Sequence, residues 1–497
     1  MKNLPWQAAA AMRILCGLGI FSCGLTPAEL PAEQQKQPQP PATRPNILFL
    51  VADDLATRLG CYGDTAAITP NLDRLAAEGV VFTHAYCQGA VCTPSRTSFM
   101  LGLNNRHAHA NSFLDNRDLM TLGRWFREHG YQTFSVGKID HTDDYTDPRA
   151  WDIRHNGADV KTPRPLGPRT RLHEDLPQPD GSRLDRVVTL VGTGDSADQL
   201  HDWAVAERAI QFLDTERDAS KPFFAAVGFH TPHGPLDSTR AAYDAHDPAK
   251  FTLEQLPADA SPLPPKSLLQ EPGLATSEKV QREATRGYYA AVTMLDAEIG
   301  RMLEALDAKG LADNTVIVFT ADHGYHLGWR GQWCKHSIDE QVMRVPLIVR
   351  SPGSATAARA DGIVELIDLF PTFCELAAIT APPSLDGRSF APLLSNLTAA
   401  GKPAAFCRWG NGRTVRTARW RYTERSDGSQ ELYDHDADPS EYHNVAEAAD
   451  NGSIIREHAV LLERELGPPV TPKPNAPEKP NDSQHQRQAR PQPQPTN

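Results

Sequence analysis

The chain has 497 residues, 40% of them hydrophobic and 23% charged, with 62 acidic residues against 50 Lys and Arg. That length exceeds what one small core can hold, and the composition is that of a globular enzyme rather than a fibrous or disordered chain. The formal net charge of −12 excludes general binding to nucleic acid or to anionic membranes, so an anionic substrate would need a local basic pocket.

Residues 1–25 read as an export signal, because Lys2 and Arg13 precede an apolar run at 14–21 that ends in Ser22, Cys23 and Gly24. The run is short for a bilayer, and no later segment is apolar for long enough, so no transmembrane span is expected. The protein is therefore expected to be secreted or periplasmic, with a lipoprotein anchor at Cys23 as an alternative. Residues 26–44 form a Pro/Gln-rich linker. Cys61, Cys87, Cys92, Cys334, Cys374 and Cys407 show no regular spacing, which predicts few or no disulfides.

The run 45–52 is mostly apolar and ends in Asp53-Asp54, the pattern of a strand buried on both faces of a parallel sheet. Ligands of open α/β sheets bind outside the carboxyl ends of strands, and adjacent carboxylates there repel unless a cation lies between them. A helix is predicted over 71–78, with Asn71 as its N-cap and Gly79 after its end. Residues 80–86 lead into Val91-Cys92-Thr93-Pro94-Ser95-Arg96. Pro94 suits the first turn of a helix. Cys92 would then sit at the positive end of the helix dipole, beside the fork-shaped cation of Arg96.

A helix over 121–129 and a strand over 131–136 follow, the strand delivering Lys138 and His141. Residues 142–195 show no sustained periodicity and read as an insertion shaping the pocket mouth. A helix is predicted over 199–216, then a strand over 221–229 ending at His230-Thr231-Pro232-His233, and a long helix over 277–308. The strand 315–321 ends in Asp322-His323-Gly324, Lys335 follows, and the next strand covers 345–350. A helix over 362–376 would contain Pro371. Short runs between 404 and 444 suggest a small antiparallel sheet, and a last helix covers 454–465 with Ser453 as N-cap. The layout is thus a catalytic domain over 45–395, a C-terminal subdomain over 396–466 and a disordered tail over 467–497. Each titratable group at a strand end has an ordinary structural explanation by itself. Their joint placement with a nucleophile motif does not.

At these residues the chain resembles the type I, formylglycine-dependent sulfatases of the alkaline-phosphatase superfamily, and within them it is most similar to the iduronate-2-sulfatases. The resemblance rests on Val51-Ala52-Asp53-Asp54-Leu55, Leu59-Gly60-Cys61-Tyr62-Gly63, Cys92-Thr93-Pro94-Ser95-Arg96, Gly137-Lys138 with His141, Gly228-Phe229-His230-Thr231-Pro232-His233, Ala321-Asp322-His323-Gly324 and Gln332-Trp333-Cys334-Lys335. It implies an α/β fold of alkaline-phosphatase type: a large, mostly parallel sheet flanked by helices, with a smaller C-terminal antiparallel sheet. It also implies hydrolysis of the sulfate ester of a sulfated sugar, a polysaccharide or glycosaminoglycan.

On that resemblance a formylglycine-generating enzyme would convert Cys92 to formylglycine, whose hydrate attacks sulfur. One calcium ion would be held by Asp53, Asp54, Asp322 and the oxygen of residue 92. His323 would take the fourth protein position. Arg96 and Lys138 would stabilise the hydrate, Lys335 would clamp sulfate, His141 would act as base and His230 as acid. The chain departs from the family in reading Met100-Leu101-Gly102 after the Arg96 motif, and in its composition over 142–229 and after Arg388. Two alternatives stand beside this reading. One is a phosphoester or phosphonate hydrolase of the same superfamily; the other is a silent polysaccharide-binding homologue with unmodified Cys92.

Overall fold

The computed structural model describes residues 44–107, 118–141, 146–156, 159–165, 167–171, 176–177, 183–184, 189–192, 196–263 and 278–468. The expected export signal, nearly all of the linker, most of the tail and parts of the 142–195 insertion lie outside the described residues.

In chain order the main strands are β1 (Asn46–Ala52), β2 (Val80–Tyr86), β3 (Gln132–Gly137), β4 (Ile153–His155), β5 (Phe223–Gly228), β6 (Thr315–Ala321), β7 (Arg344–Arg350) and β8 (Ala358–Ala360). They form one sheet in the order β8-β2-β7-β6-β1-β5-β3-β4, and Val364–Glu365 adds a further short pairing to β2. All neighbours pair in parallel except β7, which runs against both β6 and β2. β1 lies at the centre, and all seven of its residues are buried. Its unbroken apolar run is what a strand covered on both faces requires.

The longer helices among the described residues are α1 (Pro70–Ala77), α2 (Cys92–Leu101), α3 (Leu122–Glu128), α4 (His201–Gln211), α5 (Glu278–Ala308), α6 (Leu369–Leu376) and α7 (Gly452–Leu466). Phe49 of β1 packs edge-on against Phe99 of α2 at 5.8 Å and Phe373 of α6 at 5.3 Å. α1 begins one residue earlier than predicted, with Pro70 at its first position and Thr69 rather than Asn71 as N-cap. Thr69 makes no capping bond. Asp296 of α5 instead takes the Asn71 amide at 3.1 Å and the Leu72 amide at 2.8 Å, so a partner distant in sequence satisfies the helix start.

Other boundaries moved for identifiable reasons. Residues 80–86 form a full strand. Helix α6 starts at Leu369, so Pro371 falls in the first turn, where its missing N–H and fixed φ are tolerated. The residues before it pair with β2 or form a short 3-10 turn. Within the insertion, 153–155 joins the main sheet as β4, and Thr189–Gly192 pairs with neighbouring strands. α7 starts at Gly452, with Asn451 rather than Ser453 as N-cap.

The C-terminal sheet is antiparallel, in the order β9 (Ala404–Trp409), β10 (Gly412–Thr417), β11 (Trp420–Arg425), β12 (Gln430–Asp434). Phe406, Val415, Tyr422 and Leu432 bury themselves under Leu462 and Leu466 of α7. The alternate residues Ala405 and Cys407 belong to the main core, so the period-2 alternation of β9 joins the two layers.

Candidate active site

Four strand ends and one helix start converge on Cys92. Cys92 is the first residue of α2, is 4% exposed, and lies at the carboxyl end of the sheet. Its Sγ lies 3.2 Å from Asp53 Oδ1, 3.2 Å from Lys335 Nζ, 3.5 Å from His323 Nε2 and 3.8 Å from Lys138 Nζ. Asp53 and Asp54 follow β1, Lys138 follows β3, and Asp322 and His323 follow β6. Lys335 comes from the loop before β7, where Cys334 (φ 68°) and His336 (φ 72°) hold the left-handed conformation on either side of it. Non-glycine residues rarely adopt that conformation, and its cost persists only where surrounding structure enforces it.

The cations and anions interlock. Lys138 bonds Asp53, and Lys335 donates to Asp54 Oδ1 at 2.6 Å. Arg96, buried to 1% exposure, donates Nε to Asp322 Oδ2 at 2.9 Å and binds the carbonyls of Lys138 and Ile139. Asp322 Oδ1 accepts the amides of Asp54 at 3.2 Å and His323 at 2.9 Å, and Ser95 Oγ donates to the Asp322 carbonyl. Asp322 thus fastens the ends of β1 and β6 to α2. The ends of β3 and β5 pass so closely that a Cβ on Gly228 would lie 2.0 Å from the Lys138 carbonyl oxygen, so glycine there lets Lys138 turn toward Asp53.

Protonation follows from these contacts. Burial by itself would raise the Asp53 carboxyl, but Lys138, His233, Arg96 and Lys335 outweigh it and hold it well below the usual range. Asp54 is likewise pushed up by burial and pulled down by Lys335 and His233, ending at about 2. Burial would lower His323, but Asp322 and Cys92 carry it up to about 10. His141 sits exposed at the rim, where partial burial and then Lys138 and Arg96 push it down to about 4. His230 also falls to about 4, through burial and then His233 and Lys138 against the opposing pull of Asp53.

The cluster is compatible with a cation, and its carboxylate oxygens are the donors that suit a hard one. Ligand atoms of Asp53, Asp54, Cys92 and His323 lie within 4.8 Å of one another. Asp54 Oδ2 is buried and has no hydrogen-bond partner, which leaves a carboxylate oxygen free for an ion. Asp322 lies against this group, its Oδ1 3.7 Å from His323 Nε2, and both of its oxygens, like those of Asp53, also accept hydrogen bonds.

The structure therefore brings Asp53, Asp54, Cys92, Arg96, Lys138, Asp322, His323 and Lys335 into one buried cluster, with His141 and His230 at its edge. Three participants had no assigned role in the sequence reading. His233 Nε2 lies 4.0 Å from Asp54 Oδ2, and its ring lies 4.7 Å from that of His230. Asp202 of α4 accepts the amides of His230 at 3.0 Å and Thr231 at 2.8 Å. Tyr288 of α5 contacts the Asp54 main chain. The His-Thr-Pro-His motif could have flagged His233. Nothing local marks the other two.

Fold and centre together define a class, an α/β protein of the alkaline-phosphatase type. The family model described as sulfatase matches residues 45–379, and one described as the C-terminal part of N-sulphoglucosamine sulphohydrolase matches residues 328–465. An iduronate 2-sulfatase of Mus musculus is 30% identical over 520 residues, spanning 82% of this chain and 92% of that protein. A solved structure described as a complex with its substrate D-glucosamine-2-N,6-O-disulfate aligns with a TM-score of 0.69 and 24% identity over 85% of this chain and 97% of its own. The phosphonate monoester hydrolase of Agrobacterium radiobacter aligns with a TM-score of 0.68 and 22% identity over 85% and 95%. Those two likenesses concern the fold. The chain belongs to the sulfatase family and is a sulfuric ester hydrolase.

Proposed function

We propose that the protein removes sulfate from a sulfated sugar, in the manner of the iduronate-2-sulfatases, using formylglycine at position 92 and one calcium ion. The observation that carries this reading is the set of contacts at Cys92: two lysines, a histidine and an aspartate within 3.8 Å of a sulfur on the first turn of a helix. When bound, calcium would supply a Lewis acid, and the hydrated aldehyde would supply a hydroxyl nucleophile.

Asp53, Asp54, Asp322, His323 and the oxygen of residue 92 would hold the ion, and Asp322 also accepts the amides of Asp54 and His323. Lys335 and Lys138 offer positive charge beside residue 92, where the negatively charged sulfate oxygens would be clamped during transfer. Arg96 is held by carbonyls and Asp322, so its charge needs no reorganisation. His141, neutral above about pH 4, suits a base. His230 is the group facing the leaving alcohol. Its depressed pKa in the free site means that the negative charge of an arriving sulfate ester has to raise it before it can donate a proton.

Residues 1–25 as an export signal support a secreted or periplasmic location, and a formylglycine-generating enzyme would be a transient partner of the chain. Among the described residues no helix is long and apolar enough to cross a membrane. The 45–395 and 396–466 division is proposed along the junction before β9.

Mass spectrometry of the peptide spanning Cys92, from the native host, tests the nucleophile: an aldehyde product is expected, and an intact thiol refutes the mechanism. Sulfate release from sulfated oligosaccharides should far exceed phosphodiester turnover. The reverse order would assign the protein to the phosphonate-hydrolase alternative.

A further inference from the structure

Just beyond β5, the main chain at His230 is fixed while its ring is not. No hydrogen bond holds the His230 imidazole among the described residues, and its ring contact there is with His233, 4.7 Å between centroids. Beside it lies a cavity of about 160 Å³, whose wall His230 and His233 share with Leu200, Trp203 and Met294. A side chain next to open space can change rotamer, so the direction of this ring depends on how firmly its backbone is held.

Asp202 supplies that hold. It lies in the first turn of α4, where an acid ordinarily faces water and gains only the weak attraction of the helix dipole. Here it is 6% exposed, lines the same cavity, and has no cationic partner among the described residues. Acids are rarely so buried unless paired, and this one is paired with backbone. Its Oδ1 accepts the His230 amide at 3.0 Å and its Oδ2 the Thr231 amide at 2.8 Å. The preceding amide, that of Phe229, still reaches the Val51 carbonyl at 2.8 Å. Sheet pairing stops there, and without the carboxylate the next two amides would be left over. A carboxylate has an acceptor for each, whereas an amide side chain would set a donor against one of them.

We propose that Asp202 is the positioning residue for the leaving-group acid: by binding the amides of His230 and Thr231 with its two oxygens, it keeps the His230 ring aimed at the ester rather than into the adjoining cavity. The proposal rests on the assignment of His230 as acid made above and adds the group that enforces it. Displacing a reacting group by about 1 Å can cost about 10² in rate, and the loss falls on the step that needs the group.

The test uses the full-length enzyme with two substrates, an aryl sulfate and whichever heparin-, chondroitin- or carrageenan-type sulfated disaccharide it hydrolyses fastest. Asp202→Asn is nearly isosteric and keeps one amide bond. On the sugar its kcat should fall about 10²-fold at nearly constant KM, because the proton is given only in the transition state. On the aryl ester, whose phenolate leaves without a proton, the loss should be much smaller. Added to His230→Gln, Asp202→Asn should cost little more on the sugar, because both act through one ring. Asp202→Glu keeps a carboxylate and should be less impaired than Asp202→Asn; it also serves if the latter fails to fold, which melting curves establish. Equal losses on the two esters, or losses that multiply with those of His230→Gln, overturn the positioning role. Equal losses on the two esters in His230→Gln alone would instead overturn the acid assignment beneath it.

Discussion

The hydroxyl of Tyr288, buried within α5, donates to the Asp54 carbonyl at 2.8 Å and accepts from the Ala56 amide at 2.9 Å. Asp54 itself holds φ 67°, the left-handed region in which an aspartate is uncommon. The strand end therefore turns sharply at a carboxylate of the proposed cation site, and one phenol bridges both sides of that turn.

Tyr288→Phe keeps the ring and removes both bonds, leaving a buried carbonyl and a buried amide unpaired. A stability loss of about 1–3 kcal/mol is expected. The more specific expectation is weaker calcium binding, because Asp54 loses its fixed direction. Calcium titration of the chelator-stripped proteins, read as a rise in melting temperature, checks it: a saturating ion at a hundred times its Kd adds about 2.7 kcal/mol to the wild type. A variant with lowered stability but unaltered calcium affinity would make Tyr288 a packing residue only.

Lys335 is 3% exposed and touches both Asp54 and Cys92. Lys335→Ala should lower kcat by about 10²–10³, the usual effect of removing one preorganised positive or hydrogen-bonding group from such a site. It should also destabilise the ion-free protein, because Asp54 loses the partner that holds its carboxyl down, and calcium should restore most of that loss. Steady-state kinetics with paired melting curves would separate the two effects.

The depressed pKa of His230 makes a leaving-group prediction. Protonation matters for an alcohol and hardly at all for a stabilised phenolate. For a sulfated sugar, kcat/KM should decline from pH 5 toward pH 8 as the fraction of protonated His230 falls. For an aryl sulfate that decline should be shallow. His230→Gln should cost about 10²–10⁴-fold on the sugar and far less on the aryl ester. Equal losses on both esters would show that His230 is not the proton donor.

A separate prediction concerns the C-terminal sheet. Arg421 and Glu441 form a bidentate ion pair, both 1% exposed, and His435 Nε2 lies 2.9 Å from the same carboxylate. Burial would raise the Glu441 carboxyl, but Arg421 and His435 hold it well below its ordinary value of 4.5. A depressed carboxylate contributes stability above the unfolded pKa and loses it as pH falls, so this contribution should fade below about pH 4.5. Arg421→Met removes the bidentate partner of a buried acid that keeps His435 beside it, and should cost about 3 kcal/mol at pH 7. The loss of stability on acidification should be shallower in the variant, because less of the carboxyl's depression is left to lose. Denaturant melts from pH 7 down to about pH 4 compare the two slopes.

Much of the site was legible along the chain because its chemistry is local. Asp53-Asp54, Cys92 with Arg96, Lys138, His230 and Asp322-His323 each follow a buried apolar strand or open a helix, and parallel strands bring their carboxyl ends to one edge. The unbroken apolar runs of β1, β5 and β6 set the two-sided burial of the sheet centre, and they were readable for the same reason. The two segments the sequence left vague, 80–86 and 142–195, carry weaker patterns. Their strands are stabilised by pairing with β7, β3 and each other rather than by their own periodicity.

Only the tertiary structure decided the reversal of β7, the capping of α1 by Asp296 and the pinning of Asp54 by Tyr288. It alone also placed His233 beside Asp54 and brought the Asp202 carboxylate to the amides of His230 and Thr231. Each of these joins groups far apart in sequence through side-chain geometry, and neither hydrophobic period nor local motif encodes that. The amino-acid order by itself determined which groups the reaction has available and which strand ends present them. Packing of α5 and of the loop before β7 against those ends determined how each group is oriented, charged and shared.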